Sequence, residues 1–383
     1  MVYHSLDVAA VAAAFWTCSP AIRHSFKTAF VADSEETLRA WILFFVALHD
    51  LGKFHIRFQI KAPDALHTAW PGIDFGNTRR KPYDHGCDGF AQADAEIAAW
   101  IGTDRRKTPT AFADWLAVVA GHHGSICRPH KPVRGYATPD IQQQDAVARQ
   151  TWVEQTTRLF LAPAGLSLGD VPRVPDTAAK NLLAGFCSLC DWIGSNTDLF
   201  GYQAPSKTPA EYLAWAQDHA IRKNALAYFG LTAPALPYRG LAALLKDDER
   251  PRGVQTLVDG LPPSGSLTIV EAPTGSGKTE AALAYVWRLL AAGIADSVVF
   301  ALPTQATANA MLTRAKTFAE HAFGPANIVL AHGHRDLNDE FRRLVAAARP
   351  HTVQGHEEAG VQCSSWLANS RKRVFLGQMD CTN

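Results

Sequence analysis

Apolar residues recur at helical spacing through the first three-fifths of the chain, in Leu6–Phe15, Thr37–Leu51, Ala91–Ile101, Ala111–Ala120, Asp145–Leu161, Ala178–Ile193 and Ala210–Phe229. Each run is long enough to bury one helical face, so residues 1–230 read as a mainly α domain. The stretches between them, "KAPDALHTAWPGIDFGNTRRKPYDHG" and "CRPHKPVRGYATPD", are rich in Pro, Gly and charge and predict long loops. Loops of that length inside a compact domain are often functional.

The pattern breaks at 231–253, where Pro, Gly and the run "KDDER" predict a linker. Beyond it the period changes. "SLTIVEA", "SVVFALP" and "NIVLAHG" read as strands, and "KRVFLGQ" as one more; "KTEAALAYVWRLLAAG" and "QATANAMLTRAKTFAEHAF" read as helices between them. Such alternation predicts a parallel sheet with covering helices over 254–383.

Composition changes this picture little. Of 383 residues, 47% are hydrophobic and 19% charged, as in ordinary globular domains, and the net charge of +1 announces no polyanion-binding field. Nucleic-acid contact must then rest on local patches such as Arg79-Arg80-Lys81, Arg105-Arg106-Lys107 and Arg371-Lys372-Arg373, which otherwise serve as solvated surface. Seven cysteines, an odd number at irregular spacing, do not resemble a secreted disulfide framework and point to a reducing cytosol. The run "VAAVAAAFW" is short, follows Asp7 and lacks a basic flank, so it fails as a signal peptide. No uncharged stretch reaches membrane-spanning length, and no membrane partner is expected.

The candidate chemistry of the helical half is a scatter of imidazoles and carboxylates: His4, "HD" at 49–50, His85, "GHHG" at 121–124, and Asp191 after "CSLC". Five histidines and two aspartates can fill the coordination of two cations, with Asp50 able to bridge them. Adjacent residues on a helix point about 100° apart, so each dipeptide is expected to offer two ligands from one helix end, with Gly52 as a helix stop. Mixed imidazole and carboxylate ligation favours Mn, Fe, Co or Ni. Cys187 and Cys190 form a C-x-x-C, but no second pair stands at finger spacing and both fall in an apolar helix, which favours packing.

This order of residues resembles the HD phosphohydrolase superfamily and, more narrowly, the HD nuclease domain of the CRISPR-associated helicase–nuclease of type I systems. The resemblance implies that His4, His49, Asp50 and Asp191 hold one metal. Asp50, His85, His122 and His123 would hold the second, with Asp50 and Lys53 at the scissile phosphate. It implies single-stranded DNA as substrate and a guide-RNA surveillance complex as partner.

In the second half, "VEAPTGSGKTEAAL" follows an expected strand and opens a helix, the context a phosphate-binding loop requires. Gly275, Ser276 and Gly277 would turn backbone N–H groups toward phosphate, Lys278 would reach the β and γ phosphates, and Thr279 would ligate Mg²⁺ beside ATP. "APTGSGKT" and "ALPTQATANAM" resemble superfamily 2 helicases, which places nucleic-acid contacts at Thr304, Gln305 and Thr307 and adenine reading at Gln255. A helix cap is the plainer reading of Thr304 and Thr307. No D-E-x-H segment follows Lys278 in place and no second lobe is present, so the expected architecture is an HD-type helical domain before an incomplete RecA-like lobe. ATP binding is expected without efficient hydrolysis. Two other readings remain on the same residues: a phosphohydrolase of nucleotides, and a non-enzymatic DNA- or partner-binding remnant.

Overall fold

The computed structural model describes all residues except 70–81, 203–205, 232, 247–248, 325, 348–362, 364, 369–375 and 383. Two compact units divide the chain: Met1–Trp16 with Ser25–Arg222, and Thr17–His24 with Lys223–Asn383. The division falls after Arg222, and part of 231–253 packs into the second unit, where Leu241 is buried against Ala281 and Ala284. Arg79-Arg80-Lys81 and Arg371-Lys372-Arg373 lie outside the described residues, whereas Arg105–Lys107 forms one 3-10 turn.

The first unit is helical. Its α1 (Val2–Cys18) is apolar on nearly every face and buried from Ser5 to Trp16, which makes it the central helix. A second helix, α2 (Pro20–Ala29), precedes α3 (Glu35–Ala47), whose start is capped by Ser34 accepting from Thr37 N, with Glu35 and Glu36 at the positive end of the helix dipole. Short α4 (Ile56–Gln59) and α5 (Pro63–Ala69) follow, so the first long loop carries a helix that begins on Pro63 and Asp64. Then come α6 (Cys87–Ile101), α7 (Thr110–Ala120), α8 (Pro139–Thr156), α9 (Thr177–Gly194) and α10 (Pro209–Arg222).

Aromatic side chains lock these helices together. Phe45 stacks on Trp115 at 5.0 Å and meets Phe112 edge-on, while Phe15 and Phe26 close on Phe186 of α9. At the α1–α9 crossing, a Cβ on Gly194 would lie 2.8 Å from Val8, so only glycine permits that approach. The first turn of α1 is fastened as well: Tyr3 stacks on Tyr212 at 3.7 Å, and its hydroxyl donates to Lys207 O.

The second unit runs α11 (Ala225–Tyr228), α12 (Gly253–Thr256), α13 (Lys278–Ala291), β1 (Val298–Ala301), α14 (Gln305–Ala322), β2 (Ile328–Ala331), α15 (Asp339–Ala347), α16 (Ser365–Ala368) and β3 (Met379–Thr382). The sheet is parallel with order β1-β3-β2, pairing Val298 and Ile328 with Met379 on either side. Trp287, Leu312, Phe318, Val329, Phe341 and Cys381 fill its core.

One strand expectation is corrected, and a second falls largely outside the described residues. "SLTIVEA" forms no strand: among the described residues no strand lies beside it, and Leu267 and Ile269 are 89% and 76% exposed. A β-branched run prefers extended backbone but becomes a strand only with a ladder partner. "KRVFLGQ" falls mostly outside the described residues; its end, Leu376–Gln378, is not strand, and β3 starts at Met379. Gln378 serves instead as a brace, its amide accepting from Asn327 N and donating to Gly230 O.

At the centre of β3, Asp380 pairs between Val299 and Val329 and is fully buried, with the Gly377 backbone against its carboxylate. Burial pushes its carboxyl up to about 8. A folded-state value above the unfolded one means the native state binds the extra proton, so this group's contribution falls as pH rises from about 4 to 8. Asp380→Asn is therefore expected to raise the melting temperature of the full chain at pH 8 and flatten its pH dependence. Thermal unfolding from pH 5 to 9 checks this; a steeper loss in the variant would contradict it.

Candidate metal centre

His49-Asp50 and His122-His123 stand one step beyond the helices that were expected to carry them. α3 ends at Ala47, and His49-Asp50 occupy the turn before a 3-10 segment, Leu51–Phe54; α7 ends at Ala120, and His122-His123 lie in the turn after it. The physical reason is the helix terminus, whose last carbonyls have no partner within the helix. Val46 O and Val119 O accept from Nδ1 of His49 and His122 at 2.8 and 2.9 Å. Both Nε2 atoms are thereby turned inward as unprotonated acceptors when the rings are neutral.

Gly52 is not a left-handed helix stop. A Cβ there would lie 1.9 Å from His85 O and 2.8 Å from Gly89 Cα, so the glycine lets the turn press against the start of α6. Gly86 makes the matching approach, its Cβ position 2.6 Å from Ala120 O. Tyr83 donates its hydroxyl to Gly52 O at 2.8 Å, Ile56 N donates to the buried Asp145, and Trp152 donates to Ala47 O. Ser188 of α9 donates to His122 O at 2.6 Å, one turn before Asp191 on that helix. None of these supports belongs to a motif; Ser188 was legible only as the residue three before Asp191.

These contacts bring all seven expected ligands to one place. Asp50 Oδ2 lies 3.2 Å from His4 Nε2 and 3.3 Å from His49 Nε2. Its Oδ1 faces the other way, 3.4 Å from His85 Nε2 and 3.7 Å from His122 Nε2. Asp191 Oδ1 is 3.2 Å from His4 and 3.5 Å from His49, and His123 Nε2 is 2.9 Å from His85 Nε2. Three overlapping sets have ligand atoms within 4.8 Å of one another: His4, His49 and Asp50; His49, His122 and Asp191; and His85, His122 and His123. Lys53 contacts Asp50 Oδ2 at the rim and packs over Phe58.

The donor set fits cations. Nε2 of His122 and Oδ1 of Asp50 are buried with no hydrogen-bond partner among the described residues, a costly arrangement unless another group satisfies them. Burial pulls the His49 imidazole down, but Asp50 and Asp191 outweigh it and raise it to about 10. Burial opposes ionisation of Asp50 and Asp191, yet the facing histidines hold both carboxyls far below the usual range. His85 and His122, dominated by burial, fall to about 4 and stay neutral, the form that ligates metal.

Among the other expected sites, Gly275 and Gly277 adopt left-handed backbone, φ 79° and 84°, directly before α13. Lys278 folds onto the loop, donating to Ala272 O and Pro273 O; Ser276 Oγ is buried without a hydrogen-bond partner among the described residues, and Thr279 stands in the first turn of α13. Gln255 is buried and committed: it accepts from Arg252 N and donates to Gly277 O. Thr304 and Thr307 form a reciprocal cap on α14, while Gln305 accepts from His334 after β2. Cys187 and Cys190 are fully buried.

The family model Cas3, HD domain, matches residues 1–200, and the DEAD/DEAH box helicase model matches 254–373. The CRISPR-associated endonuclease/helicase Cas3 of Escherichia coli K12 is 43% identical over all of this chain, which spans 45% of that relative. The crystal structure of T. fusca Cas3 with ATP superposes with a TM-score of 0.75 at 24% identity, covering 100% of this chain and 41% of the other, a likeness of fold. A chain in a CRISPR RNA-guided surveillance complex, pre-nicking, matches with a TM-score of 0.58 at 26% identity, covering 83% of this chain and 36% of that one. With the HD-domain match covering more than half of the sequence, the chain belongs to the Cas3 family.

Proposed function

We propose that the helical unit is a metal-dependent nuclease that cuts single-stranded DNA in type I CRISPR interference. The observation that carries this reading is Asp50, whose two oxygens face two separate histidine groups. His4, His49, Asp50 and Asp191 would hold one ion, and Asp50, His85, His122 and His123 the other. Two divalent cations of the Mn, Fe, Co or Ni class would supply Lewis acidity toward a phosphodiester and an activated water. Lys53, at the rim of the cluster, would pair with a phosphate oxygen and orient the strand.

The names of the relatives, endonuclease/helicase, and the surveillance complex containing a similar chain support nicking of DNA opened by a guide-RNA complex. Sequence choice would then lie with guide pairing, and strand contacts here would be salt-dependent and largely sequence-blind. In domain terms, residues 1–230 form the nuclease, 231–253 connect, and 254–383 form a partial RecA-like lobe that binds ATP and Mg²⁺ through Gly275–Thr279, with Gln255 at the base and Thr304, Gln305 and Thr307 toward nucleic acid.

Substrate class is tested by incubating the full chain with Mn²⁺, without ATP, on circular single-stranded DNA and on mono- and cyclic nucleotides. Cleaved circles and intact nucleotides are expected. Hydrolysed nucleotides with intact circles would favour the phosphohydrolase reading, and no turnover of either would favour a binding remnant.

Nucleotide binding has its own test. Lys278→Ala removes the ammonium that would reach the β and γ phosphates, a charged hydrogen bond contributing about 1.5–3 kcal/mol. ADP–Mg affinity, read by calorimetry, should fall roughly tenfold to a hundredfold. Unchanged affinity would remove the loop from nucleotide binding.

A further inference from the structure

Cys87 and Cys127 are bridged, with Cα atoms 5.1 Å apart, against the free thiols that a reducing cytosol implies. The place of the bridge matters more than its presence. Cys87 is two residues after His85 and opens α6; Cys127 is four residues after His123, in the segment leaving the histidine turn. The bridge thus staples together the two segments that carry His85 and His123.

The two halves of the metal cluster depend on that staple unequally. His49 and His122 are fixed by helix-end carbonyls, His122 further by Ser188, while His4 and Asp191 ride on α1 and α9. His123 is exposed; its Nε2 meets His85 Nε2 at 2.9 Å and its ring lies against that of its chain neighbour His122, so across the two segments it is His85 that it touches. Both cysteines line a cavity of about 900 Å³ with Gly121, Gly124, Ser125 and Arg128, which gives a small thiol reagent a route to the bridge.

From this placement we infer that the Cys87–Cys127 pair is a reversible thiol modification site that sets the grip on the ion held by Asp50, His85, His122 and His123. The reactant class is a low-molecular-weight thiol such as glutathione. Two glutathione thiols reduce the bridge: its S–S bond breaks, one S–S bond forms between the glutathiones, and their two protons end on Cys87 and Cys127. The reverse reaction consumes glutathione disulfide. The inference rests on the two-cation reading above.

Mn²⁺ titration of the full chain by calorimetry, before and after reduction, tests it, with the thiol state counted by alkylation and mass spectrometry. In the bridged chain two ions should bind tightly. After reduction one should bind as before and the other roughly tenfold or more weakly, the range seen when a ligand's support is lost. The Cys87→Ser/Cys127→Ser variant should match the reduced chain and ignore reductant; if it fails to fold, the wild-type comparison decides alone. Identical titrations in both thiol states would overturn the redox assignment and leave the metal centre standing. Absence of tight Mn²⁺ binding in both states would instead remove the metal centre on which it rests.

Discussion

Asp50→Ala should abolish metal-dependent cleavage, by at least about a thousandfold, or roughly 4 kcal/mol of transition-state stabilisation. The size follows from geometry: this one side chain presents Oδ2 to His4 and His49 and Oδ1 to His85 and His122, so its loss strips a ligand from both ions. The helical unit should still fold, because its aromatic core of Phe45, Phe112 and Trp115 does not involve the cluster. Circular dichroism and a strand-cleavage assay on the same sample separate the two effects. Asp50→Asn, which keeps the volume, should lose activity to a similar extent. Retained cleavage in either variant would mean that Asp50 does not bridge.

The second large effect is expected at Gly52, where nothing is charged or nucleophilic. A methyl group there would overlap His85 O and crowd Gly89 Cα, backbone atoms that cannot move as a flexible side chain would. Gly52→Ala should therefore cost about 3 kcal/mol, the upper end of ordinary overpacking. It should also displace His85 and the turn carrying Asp50 from one another. The expected result is a lowered melting temperature together with weakened Mn²⁺ binding. Full stability with full metal affinity would show that the two segments do not meet as described.

Much of the fold was legible because period speaks for burial. The apolar repeats at Leu6–Phe15, Ala91–Ile101, Ala111–Ala120 and Ala178–Ile193 correspond to α1, α6, α7 and α9 within a few residues at each end. The cluster of imidazoles and carboxylates was legible for a different reason: His4, "HD" at 49–50, His85, "GHHG" and Asp191 stand in the order that resembles the HD superfamily. What could not be read was how each dipeptide is held. The helices stop before the ligands, and the supports are a carbonyl at a helix end, a tyrosine hydroxyl, a serine on another helix and two glycines whose neighbours are remote in sequence. The strand error has one cause. "SLTIVEA" has the composition of a strand but no neighbour to pair with among the described residues, while β3, "MDCT", has a poor strand composition and two neighbours. Pairing decides strands, and pairing is non-local.

Anomalous diffraction from Mn²⁺-soaked crystals tests the central claim, that ligands on both sides of Asp50 form one two-cation centre. Two anomalous peaks are predicted, one among His4, His49, Asp50 and Asp191 and one among Asp50, His85, His122 and His123, with Asp50 contacting both. A single peak, or two that do not share Asp50, would contradict the account.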